Sequence, residues 1–246
     1  MNDALRQLAR AEAAAHGRGG TRAEFGPLVA AHHGPGLPLN SAWHDGSAPM
    51  TAQDLLAFEA FSAAHDMPAT LHLLSPAVNE ALPLLTARRY ALTSVLNAYT
   101  HDLRLLPPTP VLHVRRSDDP DAWAALSAQG FGPGSEVIMR AVAHLPGTQL
   151  YQAHVGGQPA GTAALSLTGG VAALFGTSAL PDRRGLGAQT ALLAARLHAA
   201  HAQGADMASV FATPGSASER NIRRAGFELG ALRLTFTRGP SQLRGG

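Results

Sequence analysis

Leu180-Pro181-Asp182-Arg183-Arg184-Gly185-Leu186-Gly187-Ala188-Gln189-Thr190-Ala191-Leu192-Leu193 carries the pattern that decides the fold. The apolar run before it, Val171–Ala179, reads as a strand. The residues after it read as a long helix over 187–203, with Thr190, Leu193, Leu197 and Ala200 on one stripe at spacings of three and four. So a strand ends, two glycines let the backbone turn, and a helix begins with its first amides unpaired. Those N–H groups and the helix dipole form an anion site suited to phosphate, and a Cβ at the glycines would hold a diphosphate away from the backbone. Arg183 and Arg184 add positive charge beside it. Taken alone, the same loop also reads as a plain strand-to-helix turn with two solvated arginines.

Outward from this loop, 111–115 reads as a strand, 119–129 as a helix opened by Asp119-Pro120, and 136–145 as a second helix. Three strands follow, Gln149–Val155, 161–167 and Val171–Ala179, separated by the hairpin dipeptides Gly156-Gly157 and Gly169-Gly170. After the long helix come a strand over 205–213, a helix over 216–224 closed by Gly226, and a last strand over 229–238. The proline-rich stretch 106–110 reads as a linker, because proline fixes φ and removes donors. Gly34-Pro35-Gly36-Leu37-Pro38 is taken to precede the first ordered core.

The front of the chain repeats the back half of that order: strand 40–45, helix 51–65, strand 68–75, helix 79–89, strand 90–103. At an offset of 136, Ala52, Gln53, Leu56, Ala63, Ala64 and His65 match Ala188, Gln189, Leu192, Ala199, Ala200 and His201. Ser75-Pro76-Ala77 falls near Thr213-Pro214-Gly215, and Arg89-Tyr90 near Gly226-Phe227. The pattern points to an internal duplication. The expected division is 1–26 as a helix-like segment, 27–105 as a first half-domain, 106–110 as linker, 111–240 as the main domain and 241–246 as a tail.

Composition narrows the function. At 246 residues, 46% apolar and 15% charged, the chain is globular and not disordered. No run approaches the roughly 18 apolar residues of a membrane span, and 1–20 lacks the clean apolar stretch of a secretory signal. The expectation is a cytoplasmic protein with no membrane partner. There is no cysteine, so disulfides, thiolate metal sites and cysteinyl intermediates are excluded. There is no lysine either, which excludes a Walker-type phosphate loop. A net charge of +2 without aromatic-interleaved basic stretches gives no case for nucleic acid. His198 and His201 lie three apart on a helix without the glutamate of a His-Glu-x-x-His site, His32-His33 has no ligand cluster, and no metal is expected. No Gly-x-Ser-x-Gly elbow is present.

The order of elements and the loop together resemble the GNAT superfamily of N-acetyltransferases, whose Gln/Arg-x-x-Gly-x-Gly/Ala loop binds the pyrophosphate of CoA. Here it reads Arg184-Gly185-Leu186-Gly187-Ala188-Gln189, with Gln189 departing from the final Gly/Ala. Arg223-Arg224-Ala225-Gly226-Phe227 is similar to the Gly-Phe ending of the superfamily's fourth helix. The resemblance covers about 110–238. It implies an α/β (α+β) fold with a mixed, mostly antiparallel sheet flanked by helices, in tandem with a degenerate N-terminal half. It implies acetyl-CoA as co-substrate and an amine as acceptor, joined by direct attack in a ternary complex.

By the same resemblance, Thr177, Ser178 and Ala179 offer backbone groups to the pantetheine arm. The amides of Arg184, Gly185, Leu186, Gly187, Ala188 and Gln189 hold the diphosphate, and Asn221 and Ser216 face the thiol end. Arg220 and Arg223 stand either near the adenosine phosphates or on a solvated face. The first half has Gly46-Ser47-Ala48-Pro49-Met50-Thr51 in place of the loop and is expected to lack the site. Where relatives commonly carry a proton-donating tyrosine this chain has Ile222, leaving Ser216, Ser218 and Asn221 as candidate catalytic hydrogen-bond donors. No acidic residue lies in 171–180, and His154, Glu136 and Tyr151 are the nearest titratable groups by chain order. Two other readings stay open. One is a CoA-binding module without turnover. The other is a two-lobed protein whose loop holds a different anion.

Overall fold

The structure is a computed structural model, and residues 1–239 are described; the expected tail at 241–246 and residue 240 lie outside them. The elements are α1 (Asp3–His16), β1 (Thr21–Phe25), β2 (Leu28–His32), β3 (Ser41–His44), α2 (Ala52–Ala64), β4 (Ala69–Leu74), α3 (Ser75–Ala87), β5 (Ala91–Asp102), β6 (His113–Ser117), α4 (Pro120–Phe131), α5 (Glu136–Ala143), β7 (Gln149–Val155), β8 (Gln158–Thr168), β9 (Val171–Ala179), α6 (Ala188–Ala202), β10 (Met207–Ala212), α7 (Ala217–Arg224) and β11 (Glu228–Arg238). Contacts divide the chain into two compact units. One is Met1–Ala98 together with the chain from Gly230, and the other is Tyr99–Leu229. β5 therefore begins in the first unit and ends in the second, and β11 does the reverse.

In the second unit β6, β7, β8 and β9 form an antiparallel meander, and β10 runs parallel to β9. Side chains alternate between two faces, as a pleated strand requires. Leu150 and Ala164 join Trp123, Ala128, Met139 and Val142 of α4 and α5 in one cluster. Tyr151, Ala153, Ala163 and Leu165 join Leu192, Leu193, Leu197 and Ala200 of α6 in another. The buried stripe of α6 differs from the expected one: Thr190 is exposed, while Ala188, Leu192 and Arg196 face inward. Arg196 at a core position breaks the apolar pattern, and its guanidinium bonds to β8 and β9. β6 sits two residues later than expected, after the run Pro107, Pro108 and Pro110, and Val111 is fully exposed.

In the first unit β1, β2 and β3 are antiparallel, β3 and β4 are parallel, and β4 pairs antiparallel with β11 from Ala69↔Arg238 to Leu74↔Arg233. Its core holds Leu28, Leu55, Phe58, Leu71, Leu73 and Leu85. Ordered structure starts well before Gly34, which corrects the expectation that the core begins after Pro38. Leu5 and Leu8 of α1 are buried, and β1 and β2 form a hairpin about Gly26-Pro27.

The order β3-α2-β4-α3-β5 repeats as β9-α6-β10-α7-β11, with the parallel strand pair in the same place. The helix ends repeat as well. Asp66 and Arg89, the two non-glycine residues with positive φ among those described, correspond to Gly204 and Gly226. Each is followed by a six-residue closing bond: Met67 N to Ser62 O at 3.0 Å and Ala205 N to Ala200 O at 3.1 Å, then Tyr90 N to Leu85 O at 2.9 Å and Phe227 N to Ile222 O at 3.4 Å.

Candidate functional site

The paired register of β9 and β10 covers only Val171–Ala173 against Met207–Ser209. Both strands continue, β9 to Ala179 and β10 to Ala212, so they part past that point. A β-bulge accompanies the parting. Thr162 pairs Ser178 and Ala164 pairs Phe175, which leaves Gly176 and Thr177 opposite the single residue Ala163. A bulge bends its strand and re-aims the residues beyond it. Gly176 has φ +58°, a backbone conformation that favours glycine, and an added Cβ would press at 3.3 Å on Cη2 of the fully buried Trp123. Trp123 is held in turn by Nε1–H donating to Tyr151 O at 3.0 Å.

Beyond the bulge, the Thr162 and Ser178 hydroxyls are 2.9 Å apart, both buried. Ser178 therefore spends its side chain inside the fold, and its backbone is what it can offer a ligand. α4 packs close here: a Cβ on Gly130 would lie 2.4 Å from Ser178 Oγ. At the C-terminal end of α4, Gln129, Gly132, Pro133 and Glu136 line a cavity of about 400 Å³.

β9 leads through a single 3-10 turn, Pro181–Arg183, to Arg184, Gly185, Leu186 and Gly187, all exposed. Gly187 is the N-cap of α6 in the left-handed conformation, φ +83°, with no side-chain capping bond. The first amides of α6 are thus open. The matching helix α2 is closed: the Thr51 hydroxyl accepts from Asp54 N at 3.2 Å, and the Asp54 carboxylate accepts from Thr51 N at 2.8 Å. A capping box puts a carboxylate of its own on the anion site, so the first half has no vacancy for a phosphate there. Arg183 pairs loosely with Asp182 at 3.4 Å.

Gln189, Ser218 and Asn221 come together. Gln189 Nε2 donates to Ser218 Oγ at 2.9 Å, and Asn221 Nδ2 donates to Gln189 Oε1 at 2.7 Å. Ser216 is the N-cap of α7, accepting from Glu219 N at 3.1 Å. The Glu219 carboxylate accepts from Gly215 N, one residue before the cap, at 2.5 Å, and its other oxygen accepts from Tyr99 Oη at 2.6 Å. Sequence reasoning passed over Glu219 and Tyr99, although Ser216-Ala217-Ser218-Glu219 has the spacing of a capping box. Ile222 is buried in the core.

The other titratable candidates lie elsewhere. Tyr151 donates to Gln149 Oε1 at 3.0 Å, and burial pushes its phenol up. His154 lies against His113 on β6; burial, then Arg115 and His113, lower it. His198 Nε2 is 2.8 Å from Pro107 O, and among the described residues no group of three His, Cys, Asp or Glu is placed to hold a metal. No described helix is long and apolar enough to cross a membrane.

Arg196 is the largest feature the sequence reading missed. Fully buried on α6, it donates from Nη1 to Ala164 O at 2.8 Å and Phe175 O at 3.3 Å, and from Nη2 to Thr177 Oγ1 at 2.8 Å. Nε donates to Leu192 O at 3.0 Å. The guanidinium thus grips both strands at the bulge.

No family model and no curated protein matches this sequence. Solved structures do. A GCN5-related N-acetyltransferase from Kribbella flavida superposes with a TM-score of 0.77 at 19% identity, covering 94% of each chain. A tandem GNAT protein from the clavulanic acid biosynthesis pathway gives 0.56 at 16% identity, over 87% of this chain and 78% of its own. An acetyltransferase of the GNAT family from Colwellia psychrerythraea gives 0.54 at 13%, over 85% and 80%. With its mixed, mostly antiparallel sheet, its flanking helices and its repeated order of elements, the chain has the fold of the GCN5-related N-acetyltransferases.

Proposed function

We propose that this chain is an N-acyltransferase that moves an acetyl group from acetyl-CoA to a primary amine of a small molecule, peptide or protein, in a ternary complex. One observation carries the reading: the uncapped N-terminus of α6 opens at the end of β9, the strand that parts from β10, whereas the equivalent α2 is closed by its own Asp54. On this reading the amides of Arg184 to Gln189 take the diphosphate. The backbone of Thr177, Ser178 and Ala179 pairs with the pantetheine arm as with an added strand. Asn221, Ser216 and Ser218 stand at the helix that faces the thiol end. By sequence the working domain is 111–240, although its last strand, β11, runs on into the first compact unit, and 27–105 is its degenerate partner.

The transfer is a direct displacement. The neutral amine nitrogen attacks the thioester carbonyl, the C–N bond forms, the C–S bond breaks, and CoA leaves as thiolate while the nitrogen's proton goes to water or a weak base. Holding amine and thioester in line supplies most of the rate, and a backbone amide at the bent strand stabilises the oxyanion. A thiol with a pKa of about 8.5 leaves without much acid help, consistent with the aliphatic Ile222.

The same Ile222 favours a second reading, a CoA-binding module without turnover. Calorimetry with CoA, followed by thiol release from acetyl-CoA across a panel of amines, separates the two. CoA binding without thiol release leaves the module. Absence of CoA binding removes both and leaves a protein whose loop holds another anion.

A further inference from the structure

Arg196 occupies a place where an apolar residue would serve packing as well. A buried guanidinium costs more than an aliphatic side chain of the same volume unless its hydrogen bonds are made. Here they are made to one feature. Two of the acceptors, Phe175 O and Thr177 Oγ1, flank Gly176 at the bulge, and a third, Ala164 O, belongs to the strand that the bulge faces. The fourth, Leu192 O, ties the side chain back to its own helix. No carboxylate takes part in these four bonds, so the charge is met by carbonyl and hydroxyl dipoles. Burial lowers the guanidinium to about 9, which leaves it charged at neutral pH.

The geometry has a further consequence. A β9 that stayed in register with β8 would run on without a bend. The bulge shifts the register, and Gly176 allows it, but a glycine at a bulge gives freedom and not rigidity. Arg196 supplies the rigidity. It also polarises the peptide between Phe175 and Gly176, since a charged donor on a carbonyl strengthens the N–H of the same peptide unit.

We propose that Arg196 is a positioning residue: by clamping Phe175 and Thr177 it fixes the bend of β9, so that the strand edge from Gly176 to Ala179 presents its backbone groups in one conformation to an extended ligand. This rests on the reading of that edge as the pantetheine cradle, and the test keeps the two apart.

The variants are Arg196→Met, which keeps the volume and removes the donors, and Thr177→Val, which removes one link if the first fails to fold. Hydrogen exchange on the unliganded protein is the first measurement. Exchange in 174–179 should speed up about tenfold or more in Arg196→Met, and by a smaller factor in Thr177→Val, with 149–155 unchanged. Calorimetry is the second. CoA affinity should fall about tenfold, while ADP, which carries a diphosphate and no pantetheine arm, should bind the Arg184–Gln189 loop within about twofold of its parent affinity. A folded variant with unchanged exchange in 174–179, or one that loses CoA and ADP affinity equally, overturns the proposal. If the parent binds no CoA while β9 still loosens, the clamp stands and the acyltransferase reading falls.

Discussion

Asn221 on α7 donates to the side-chain oxygen of Gln189 on α6 at 2.7 Å, and the amide nitrogen of Gln189 reaches Ser218 on the same α7 at 2.9 Å. A residue of the loop proposed to hold the diphosphate thus spends its side chain joining two helices. Its backbone amide is the group that remains for a ligand. This accounts for glutamine in place of the small residue that ends the GNAT motif: a glycine or alanine could not reach α7.

The bond can be measured by a double-mutant cycle. Gln189→Ala and Asn221→Ala should each cost about 1 kcal/mol in urea unfolding, typical of a half-buried hydrogen bond. The coupling energy between them should be roughly 0.5 to 1.5 kcal/mol. Strict additivity would mean that the bond contributes nothing in solution.

Gly187→Val should weaken CoA binding more than tenfold, which is about 1.4 kcal/mol. Two effects add. The φ of +83° is one that a β-branched residue strongly resists, so the loop must rearrange. The new side chain would also stand over the open amides. Space in the protein itself is not the obstacle, because the nearest atom to an added Cβ is Leu112 Cδ1 at 3.9 Å. Calorimetry on a variant with unchanged circular dichroism decides it, and parent-like affinity would remove the site.

The strand-to-helix turn, the two glycine hairpins and the repeated order of elements were legible in the sequence, because each rests on local chemistry. Gly156-Gly157 and Gly169-Gly170 can hardly be anything but turns between apolar runs. What was hidden depends on partners distant in sequence. Arg196 breaks a helical stripe by composition, and only its contacts with Ala164, Phe175 and Thr177 explain it. β11 follows α7 in the chain, yet its pairing with β4 joins residues more than 150 positions apart, for which no periodicity gives a sign. The β1–β2 hairpin was missed because Thr21–Phe25 is largely exposed and its polar residues mask the strand pattern.

The hydroxyls near α7 should prove modest contributors to rate. Ser216 is committed as a helix cap and Ser218 to Gln189, so Ser216→Ala should cost about 1 kcal/mol of stability. Either alanine variant should lower kcat by less than about 100-fold, which is small beside the loss of a dedicated acid or base. Glu219 is likewise held on both oxygens, by Gly215 N and Tyr99 Oη. The rate should accordingly rise with pH toward the acceptor amine's own pKa. A bell-shaped profile with both limbs near neutrality, or a loss of about 10⁴-fold from one hydroxyl, would reveal a dedicated group.

The first unit should be acid-sensitive through His16. Its Nε2 lies 2.9 Å from Ser41 O, and its ring lies 5.7 Å from His33 and 6.5 Å from His72. Burial lowers its pKa from 6.5 to about 4, with His33 adding to the effect and the bond to Ser41 opposing it. His72 shifts the same way, by burial and then by Arg233 and His16. A histidine whose folded pKa is depressed is protonated first in the unfolded chain. Its contribution is therefore complete above pH 6.5 and is lost as pH falls from there toward about 4. For His16 alone the loss between about pH 7.5 and about pH 5 is on the order of 2 kcal/mol. Trp43, whose ring stands 5.2 Å from His72, reports on this unit, and Trp123→Phe leaves it as the sole tryptophan. Urea unfolding followed at Trp43 should show at least that loss in the parent, since His72 adds to it, and about 2 kcal/mol less in His16→Gln. Equal losses in both proteins would show that His16 titrates alike in the folded and unfolded states.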